Sequence, residues 1–321
     1  MARVNDGDER PTVWRHRAEL TALRAALAGL GALPWHRAAA VGAALGRAGY
    51  RPLGIRRDVV EEQIATAFPE FSPVRVREVA EASYASLGRT TVEAALLPRL
   101  GPHGVLDLFA RVDGWELVEE ARVRGTGLLL VTGHLGNWEI GGAYLAARGV
   151  PIDVVVRRQE NPRFDHFLTE TRERIGMRVV WDGDAVRRTP RAVREGRAVA
   201  LLVDQGAAGL ASTWVPFFGR PAKTPRGPAV FALRLGVPLV FGAAIRRSDG
   251  RFELGLERVP VTPTGDREHD VDAIAATYTA TLERWVRRYP GQYFWQHRRW
   301  KYQPAPGEWA GAAGAAAGSA A

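Results

Sequence analysis

Apolar positions recur with a helical period in the first third of the chain and with a strand period after it. From residue 14 to about residue 110 the pattern predicts helices, interrupted at Pro34, Pro52, Pro69, Pro73 and Pro98. The clearest is "SPVRVREVAEASYASLGRTTVEAALL", where Ser72 stands at the N-cap and Pro73 at the first helical position. Beyond about residue 115 short apolar runs take over. "GLLLVTG", "IDVVVR", "MRVVW", "AVALLVD", "LVFGAAI" and "FELGLE" read as strands, and helical stretches such as "RFDHFLTETRERIG" and "DAVRRTPRAVREG" separate the first four. That βαβ rhythm predicts an α/β fold: a mixed, mostly parallel sheet flanked by helices, with a helical N-terminal region. A last helix, "VDAIAATYTATLERWVRRYP", leads into the aromatic, basic stretch "GQYFWQHRRWKYQP" and a low-complexity end that reads as disordered.

Open α/β sheets bind ligands beyond the carboxyl ends of their strands. Several predicted strands deliver polar residues there: His134 after "GLLLVT", Arg157 and Arg158 after "DVVV", Asp182 after "VVW", and Asp204 with Gln205 after "ALLV". His134 lies in "TGHLGNWEIGG", where glycines allow a sharp turn and Asn137 is placed to cap the following helix. His134 and Glu139 are five residues apart. On one continuous helix, at about 100° per residue, they would diverge by about 140°. With His134 in the turn and Glu139 in the first helical turn they can meet. A carboxylate on one imidazole nitrogen then leaves the other to take a proton from an attacking hydroxyl. No Ser, Thr or Cys adjoins the pair in sequence, so the simplest chemistry is direct attack by a substrate hydroxyl. Two other readings stay open: a His that caps a turn, and a metal site, for which neither a helix-borne H-E-x-x-H nor a compact second His cluster is present.

Composition narrows the classes. The 321 residues are 46% hydrophobic, enough for one large core or two modest ones. The absence of cysteine excludes disulfides, thiolate zinc sites and cysteine nucleophiles. The net charge of +9 suits an anionic partner, and among 44 basic residues only Lys223 and Lys301 are lysine. The opening "MARVNDGDER" is unlike a secretory leader. No apolar run reaches the about 20 residues of a membrane span: "AALAGLGALPW" is followed by His36 and Arg37, and "AAAVGAALG" ends at Arg47. Such a split pair fits either a hairpin lying on a bilayer surface or a buried pair of helices.

The box "TGHLGNWE" resembles the H-x4-D/E box of glycerolipid acyltransferases, the lysophospholipid acyltransferase superfamily. Further stretches resemble one branch of it, the late lauroyl and myristoyl transferases of lipid A biosynthesis and the related phosphatidylinositol mannoside acyltransferases. These are "VVVRRQENPRFDHFLTETRERIG", "GRAVALLVDQ", "VPFFGRPAKTPRGPAVFALRLGVPLV", "YPGQYFWQHRRWK" and the lead-in "ATAFPEFS". The resemblance runs from about residue 55 to 303. It implies an O-acyltransferase at the cytoplasmic face of the inner membrane that moves a fatty acyl chain from acyl-acyl carrier protein to a glycolipid hydroxyl. A lipid A precursor is the first choice of acceptor, and a phosphatidylinositol mannoside or another lipid is the alternative. An acyl thioesterase is more distant, and neither cofactor, metal nor nucleic acid is expected. By position His134 would be the general base and Glu139 its orienting partner; substrate contacts would come from Arg157, Asn161, Asp204, Gln205, Thr224 and Arg299. Backbone N–H groups at Gly136 and Asn137, or Arg157, are candidates for stabilising an oxyanion. "VPFFG" is either an acyl pocket or core, and Thr224 with Arg226 either holds phosphate or caps a helix. Family members often carry a membrane-spanning helix, and here the break at Pro34 predicts peripheral attachment instead. The implied organisation is a flexible N-terminus over 1–13, a membrane-proximal helical region over 14–110 packed on the core, an α/β acyltransferase core over 111–304, and a disordered tail over 305–321.

Overall fold

In the computed structural model, which describes residues 9–206, 211–306 and 309, the helical part comes first. It comprises α1 (Glu9–Gly31), α2 (Trp35–Tyr50), α3 (Arg57–Ala67), α4 (Pro73–Leu96) and α5 (Gly101–Asp107). The α/β part follows as β1 (Phe109–Asp113), α6 (Glu116–Val123), β2 (Leu128–Thr132), α7 (Trp138–Ala147), β3 (Ile152–Val156), α8 (Pro162–Arg174), β4 (Met177–Trp181), α9 (Ala185–Arg194) and β5 (Ala198–Leu202). Then come β6 (Ser212–Phe217), β7 (Arg220–Pro225), α10 (Gly227–Leu235), β8 (Leu239–Arg246), β9 (Phe252–Val259) and α11 (Arg267–Arg288). Helix α1 takes in residues 9–13 of the expected flexible terminus. Residues 1–8, and residues 307, 308 and 310–321 of the expected disordered tail, lie outside the described residues.

Seven strands form one sheet in the order β1-β9-β8-β2-β5-β3-β4, parallel throughout except between β8 and β9. Strand β2 is apolar on both faces because both are covered. Leu129 and Val131 join a core cluster with α9, α10 and α11, while Leu128 and Leu130 join one with α6 and α7. Register aligns the carboxyl ends: Thr132 pairs with Leu202 and Val156 with Trp181.

Two features escape the periodicity reading. Strand β1 is a five-residue edge strand whose side chains are half-buried or exposed, so it carries little apolar signal. The hairpin of β6 and β7 contains Pro216, Pro221 and Pro225, which weaken a strand reading. It forms a separate two-stranded sheet against α11, turning at Phe218 (φ 52°) and Gly219 (φ 71°). Phe217 and Phe218 are buried, so "VPFFG" is core.

Ser72 caps α4 as its sequence indicates, its hydroxyl accepting from the Arg75 N–H at 3.2 Å. Helix α2 crosses α4 backbone to backbone through Gly42, Gly46 and Gly88. A Cβ on Gly88 would sit 2.0 Å from the Gly42 carbonyl oxygen. The apolar face of "AAAVGAALG" is thus buried on α4, with Ala38, Ala39 and Ala43 in the contact. We expect Gly88→Val to force the helices apart and lower stability by about 1–3 kcal/mol, the usual cost of overpacking. A urea unfolding midpoint equal to that of the wild type would contradict this account of the crossing.

Candidate active site

His134 lies two residues beyond Thr132, and Asp204 two residues beyond Leu202. Because Thr132 and Leu202 are register partners on adjacent strands, the two side chains meet. His134 Nδ1 lies 2.8 Å from Asp204 Oδ1, and the His134 backbone N–H donates to Asp204 Oδ2 at 2.8 Å. Asp204 is fully buried. Burial alone would raise its pKa; the charge of His134, the two hydrogen bonds from that residue and the guanidinium of Arg299 overcome this and hold it at about 2. It is therefore a carboxylate at any physiological pH. The Tyr293 phenol, buried beside it, is pushed well above its ordinary value by burial and by that negative charge. Burial, with help from the positive charges of Arg299, His134 and Arg56, lowers His297 to about 4 despite the attraction of Asp204, so its ring is neutral.

The pairing expected within the box is not the one the chain makes. Glu139 turns away from His134 toward α8 and grips Arg172 in a fork, Nε to Oε2 at 3.0 Å and Nη2 to Oε1 at 2.5 Å. Both side chains are largely buried. A planar guanidinium matches a carboxylate on two oxygens, and an imidazole offers only one donor. The glycine reading holds at Gly136: its φ is 65°, and a Cβ there would lie 2.0 Å from the Ala244 carbonyl oxygen.

Three elements clamp the loop. The Phe294 N–H donates to His134 O at 2.9 Å, and Gly136 N–H to Gln292 O at 3.0 Å. Asn137 N–H donates to Ala244 O at 2.8 Å. From α4, Thr90 donates to Gly136 O at 3.1 Å, and Glu93 accepts from the Asn137 side chain at 2.9 Å. Asn137 in turn caps α7 by accepting from Ile140 N–H at 3.1 Å. The Glu93 carboxylate is itself paired with Arg246. Since the N–H groups of Gly136 and Asn137 are engaged inside the fold, they are not the oxyanion donors expected from sequence.

The remaining candidates divide. Gln205 stays at the dyad, its amide nitrogen 3.3 Å from His134 Nδ1. Arg157 is exposed at the carboxyl end of β3, and its guanidinium has no ion pair among the described residues. Asn161 is instead the cap of α8, accepting from Arg163 and Phe164, and it also donates to Glu19 at 2.9 Å. Thr224 and Arg299 are buried against each other. Arg299 donates to Thr224 Oγ1 at 2.5 Å and to the Lys223 carbonyl at 2.6 Å, so both residues are engaged inside the fold. Arg226 is tied to Glu268 at 2.7 Å. No group of acidic, His or Cys side chains that would hold a metal occurs among the described residues.

His134 opens on a small, shallow cleft lined by Ser83, Ser86, Leu87 and Thr90 of α4, by Trp138, and by Gln292, Tyr293 and Phe294. Its ring stands edge-on to Trp138 with centroids 4.8 Å apart, and its side chain remains 19% exposed. With Nδ1 on Asp204, Nε2 is the ring nitrogen without a hydrogen-bond partner among the described residues. The cleft's α4 wall is missed by sequence reasoning, since it lies some fifty residues upstream of the box.

An imidazole fixed by a buried carboxylate at the carboxyl rim of an α/β sheet suits acyl transfer, and comparison with known proteins identifies an acyltransferase. The chain belongs to the bacterial lipid A biosynthesis acyltransferase family, whose sequence pattern matches residues 15–302. It is 26% identical over 274 residues to the lipid A biosynthesis lauroyltransferase of Escherichia coli K12, covering 85% of this chain and 88% of that protein. The palmitoleoyltransferase of the same organism is 24% identical over 257 residues, 79% and 82% of the two chains. A phosphatidylinositol mannoside acyltransferase of Mycobacterium tuberculosis is 28% identical over 165 residues, 50% and 52% of the two.

Asp204→Asn and Glu139→Gln separate the two pairings. The Asp204 change is expected to lower kcat/KM by about 10²–10⁴-fold, the usual contribution of a positioned base, and Glu139→Gln by far less. The reverse order would show that Glu139 orients the imidazole. Because Asp204 titrates at about 2 when folded and 3.8 otherwise, its stabilisation is complete above pH 3.8 and is lost as pH falls toward 2. Acid unfolding of Asp204→Asn is therefore expected to be less steep over that interval than that of the wild type.

Proposed function

We propose that the enzyme transfers a fatty acyl chain from an acyl carrier protein thioester to a hydroxyl of a membrane glycolipid, with a lipid A precursor as acceptor. The observation that carries this reading is the His134–Asp204 contact beside a cleft that leaves Nε2 free. His134 Nε2 takes the proton of the acceptor hydroxyl as its oxygen attacks the thioester carbonyl, and returns it to the departing thiolate sulfur. Asp204 holds the tautomer with Nδ1 protonated and stabilises the imidazolium that forms. Arg157, exposed on the same rim, offers a guanidinium to a phosphate of either substrate. The Glu139–Arg172 fork ties α7 to α8 and keeps the helix that follows the catalytic loop in place. The names of the lauroyl- and palmitoleoyltransferase relatives support lipid A as the destination, and that of the mannoside acyltransferase supports a different glycolipid.

A radiolabelled acyl carrier protein assay with isolated lipid acceptors tests the reading. Label is expected in a lipid A precursor and absent from it in His134→Ala. Label in a phosphatidylinositol mannoside instead would correct the acceptor. Release of free acid alone, whatever lipid is present, would replace the transferase with a thioesterase.

The attachment we propose is peripheral, at the cytoplasmic face of the inner membrane. No helix among the described residues is long and apolar enough to cross a bilayer. Leu45, Leu53 and Ile55 are 62%, 67% and 55% exposed, on or just after α2. Between Leu20 and Arg57 the chain has six arginines and no acidic residue. Exposed apolar side chains flanked in sequence by cations suit an anionic lipid surface. Co-sedimentation with anionic vesicles, weak with neutral ones and reduced in a Leu45→Ser, Leu53→Ser double variant, is the expected result. Equal binding by that variant would place the contact elsewhere.

A further inference from the structure

Ser83, Ser86, Leu87 and Thr90 follow the spacing of one helix face, and that face of α4 forms the cleft wall beside His134. Two of its three hydroxyls serve the fold. Ser83 donates to the Tyr293 carbonyl at 2.6 Å, and Thr90 donates to the Gly136 carbonyl at 3.1 Å. Ser86 makes no hydrogen bond to any described group, although it is buried apart from its contact with the cleft. A helical hydroxyl ordinarily bonds back to the carbonyl four residues earlier, as Thr91 does to Leu87 at 2.9 Å. Ser86 does not.

Several other polar groups on the cleft wall are committed to the fold. Both ends of the Gln292 side-chain amide bind the backbone of Arg246, at 3.0 and 2.9 Å. The Tyr293 phenol lies beside the Asp204 carboxylate. The backbone N–H groups of Gly136 and Asn137 are bonded within the fold. Ser86 therefore offers a hydroxyl not committed to the fold on the wall of the cleft that His134 also lines. The space in the cleft open to a water-sized sphere is about 10 Å³, roughly one water molecule, so a single small group such as a carbonyl oxygen fits there and a whole lipid does not.

We propose that Ser86 is a catalytic residue whose hydroxyl donates a hydrogen bond to the carbonyl oxygen of the transferring acyl group. The proposal rests on the acyl-transfer reading given above. When the acceptor oxygen bonds to the carbonyl carbon, its proton passes to His134 Nε2 and the carbonyl π pair moves onto oxygen. Ser86 Oγ–H stabilises that oxyanion and keeps its own proton throughout. The C=O bond then re-forms, the C–S bond breaks, and the thiolate takes the proton from His134. Leu87, Trp138 and Phe294 line the same cleft and keep water from competing for the oxyanion, which strengthens the bond.

The test compares Ser86→Ala and Ser86→Thr with wild type and His134→Ala, using a radiolabelled acyl carrier protein thioester and a lipid A precursor. Ser86→Ala is expected to lose about 10²–10³-fold in kcat, as for other oxyanion donors, with KM for the thioester and Tm unchanged. Ser86→Thr, which keeps the hydroxyl, should recover most of that loss. Wild-type kcat in Ser86→Ala, or a loss matched by a fall in Tm, would overturn the proposal. So would an acyl group found covalently on Ser86 by intact-protein mass during turnover, since that would make it a nucleophile. Failure of the wild type itself to turn over any thioester would instead remove the acyl-transfer reading, and this proposal with it.

Discussion

The Gln63 side chain of α3 makes three hydrogen bonds to the segment that follows α11. Its amide nitrogen donates to the carbonyls of Trp295 at 2.6 Å and His297 at 2.9 Å, and its oxygen accepts from Arg299 N–H at 2.7 Å. That segment is the one whose Gln292 and Phe294 backbones hold the loop of His134, and whose Arg299 helps keep Asp204 ionised. The N-terminal helices and the α/β part are thus one structure at the site. The cost of breaking such a buried contact, about 1–3 kcal/mol for each group left unpaired, would fall on the position of the imidazole as well as on stability.

Much of this was legible in the chain. Each strand named from periodicity is present, because a sheet covered on both faces must be built of nearly continuous apolar runs. Asp204 was also legible as a polar residue delivered to the rim, though not as the partner of His134. That pairing follows from the register of β2 with β5, which joins residues seventy positions apart. Sequence proximity favoured Glu139, whose real partner, Arg172, sits on a different helix. Ser86 was hidden for a related reason. In "EASYASLGRTT" its hydroxyl looks like ordinary helix surface, and only the crossing of α4 under the loop gives it a place in the cleft. Arg299 and Thr224 misled in the opposite direction: polar residues in a family-like motif, they serve each other inside the fold.

Glu93 shows what holding the loop demands. Burial pushes the pKa of its carboxyl up, while the charge and hydrogen bonds of Arg246 and the amide of Asn137 pull it down. One of its oxygens still lacks a partner. A buried ion pair is a poor source of net stability, because desolvation offsets most of the attraction. Its value here is geometric. The pair fixes Asn137, which caps α7 and ends the loop three residues after His134, so the imidazole approaches the cleft along a backbone that has little freedom to shift.

The arginine excess resolves in the same terms. Arg172, Arg246 and Arg299 point inward, where each satisfies a carboxylate, a hydroxyl or backbone carbonyls. Arg197 likewise pairs with the buried Asp153 of β3 at 2.5 Å. Arg178 and Arg258, on outer strands, have carboxylates nearby. A net charge of +9 therefore does not describe a uniformly cationic surface. The stretch from Leu20 to Arg57 contains no acidic residue and carries exposed Leu45, Leu53 and Ile55, though Arg47 and Arg57 pair with Glu81 of α4 and Glu61 of α3. A nucleic acid would favour the charge and gain nothing from Leu45, Leu53 or Ile55. For the peripheral attachment proposed above, an anionic bilayer would make use of both the cations and these apolar side chains.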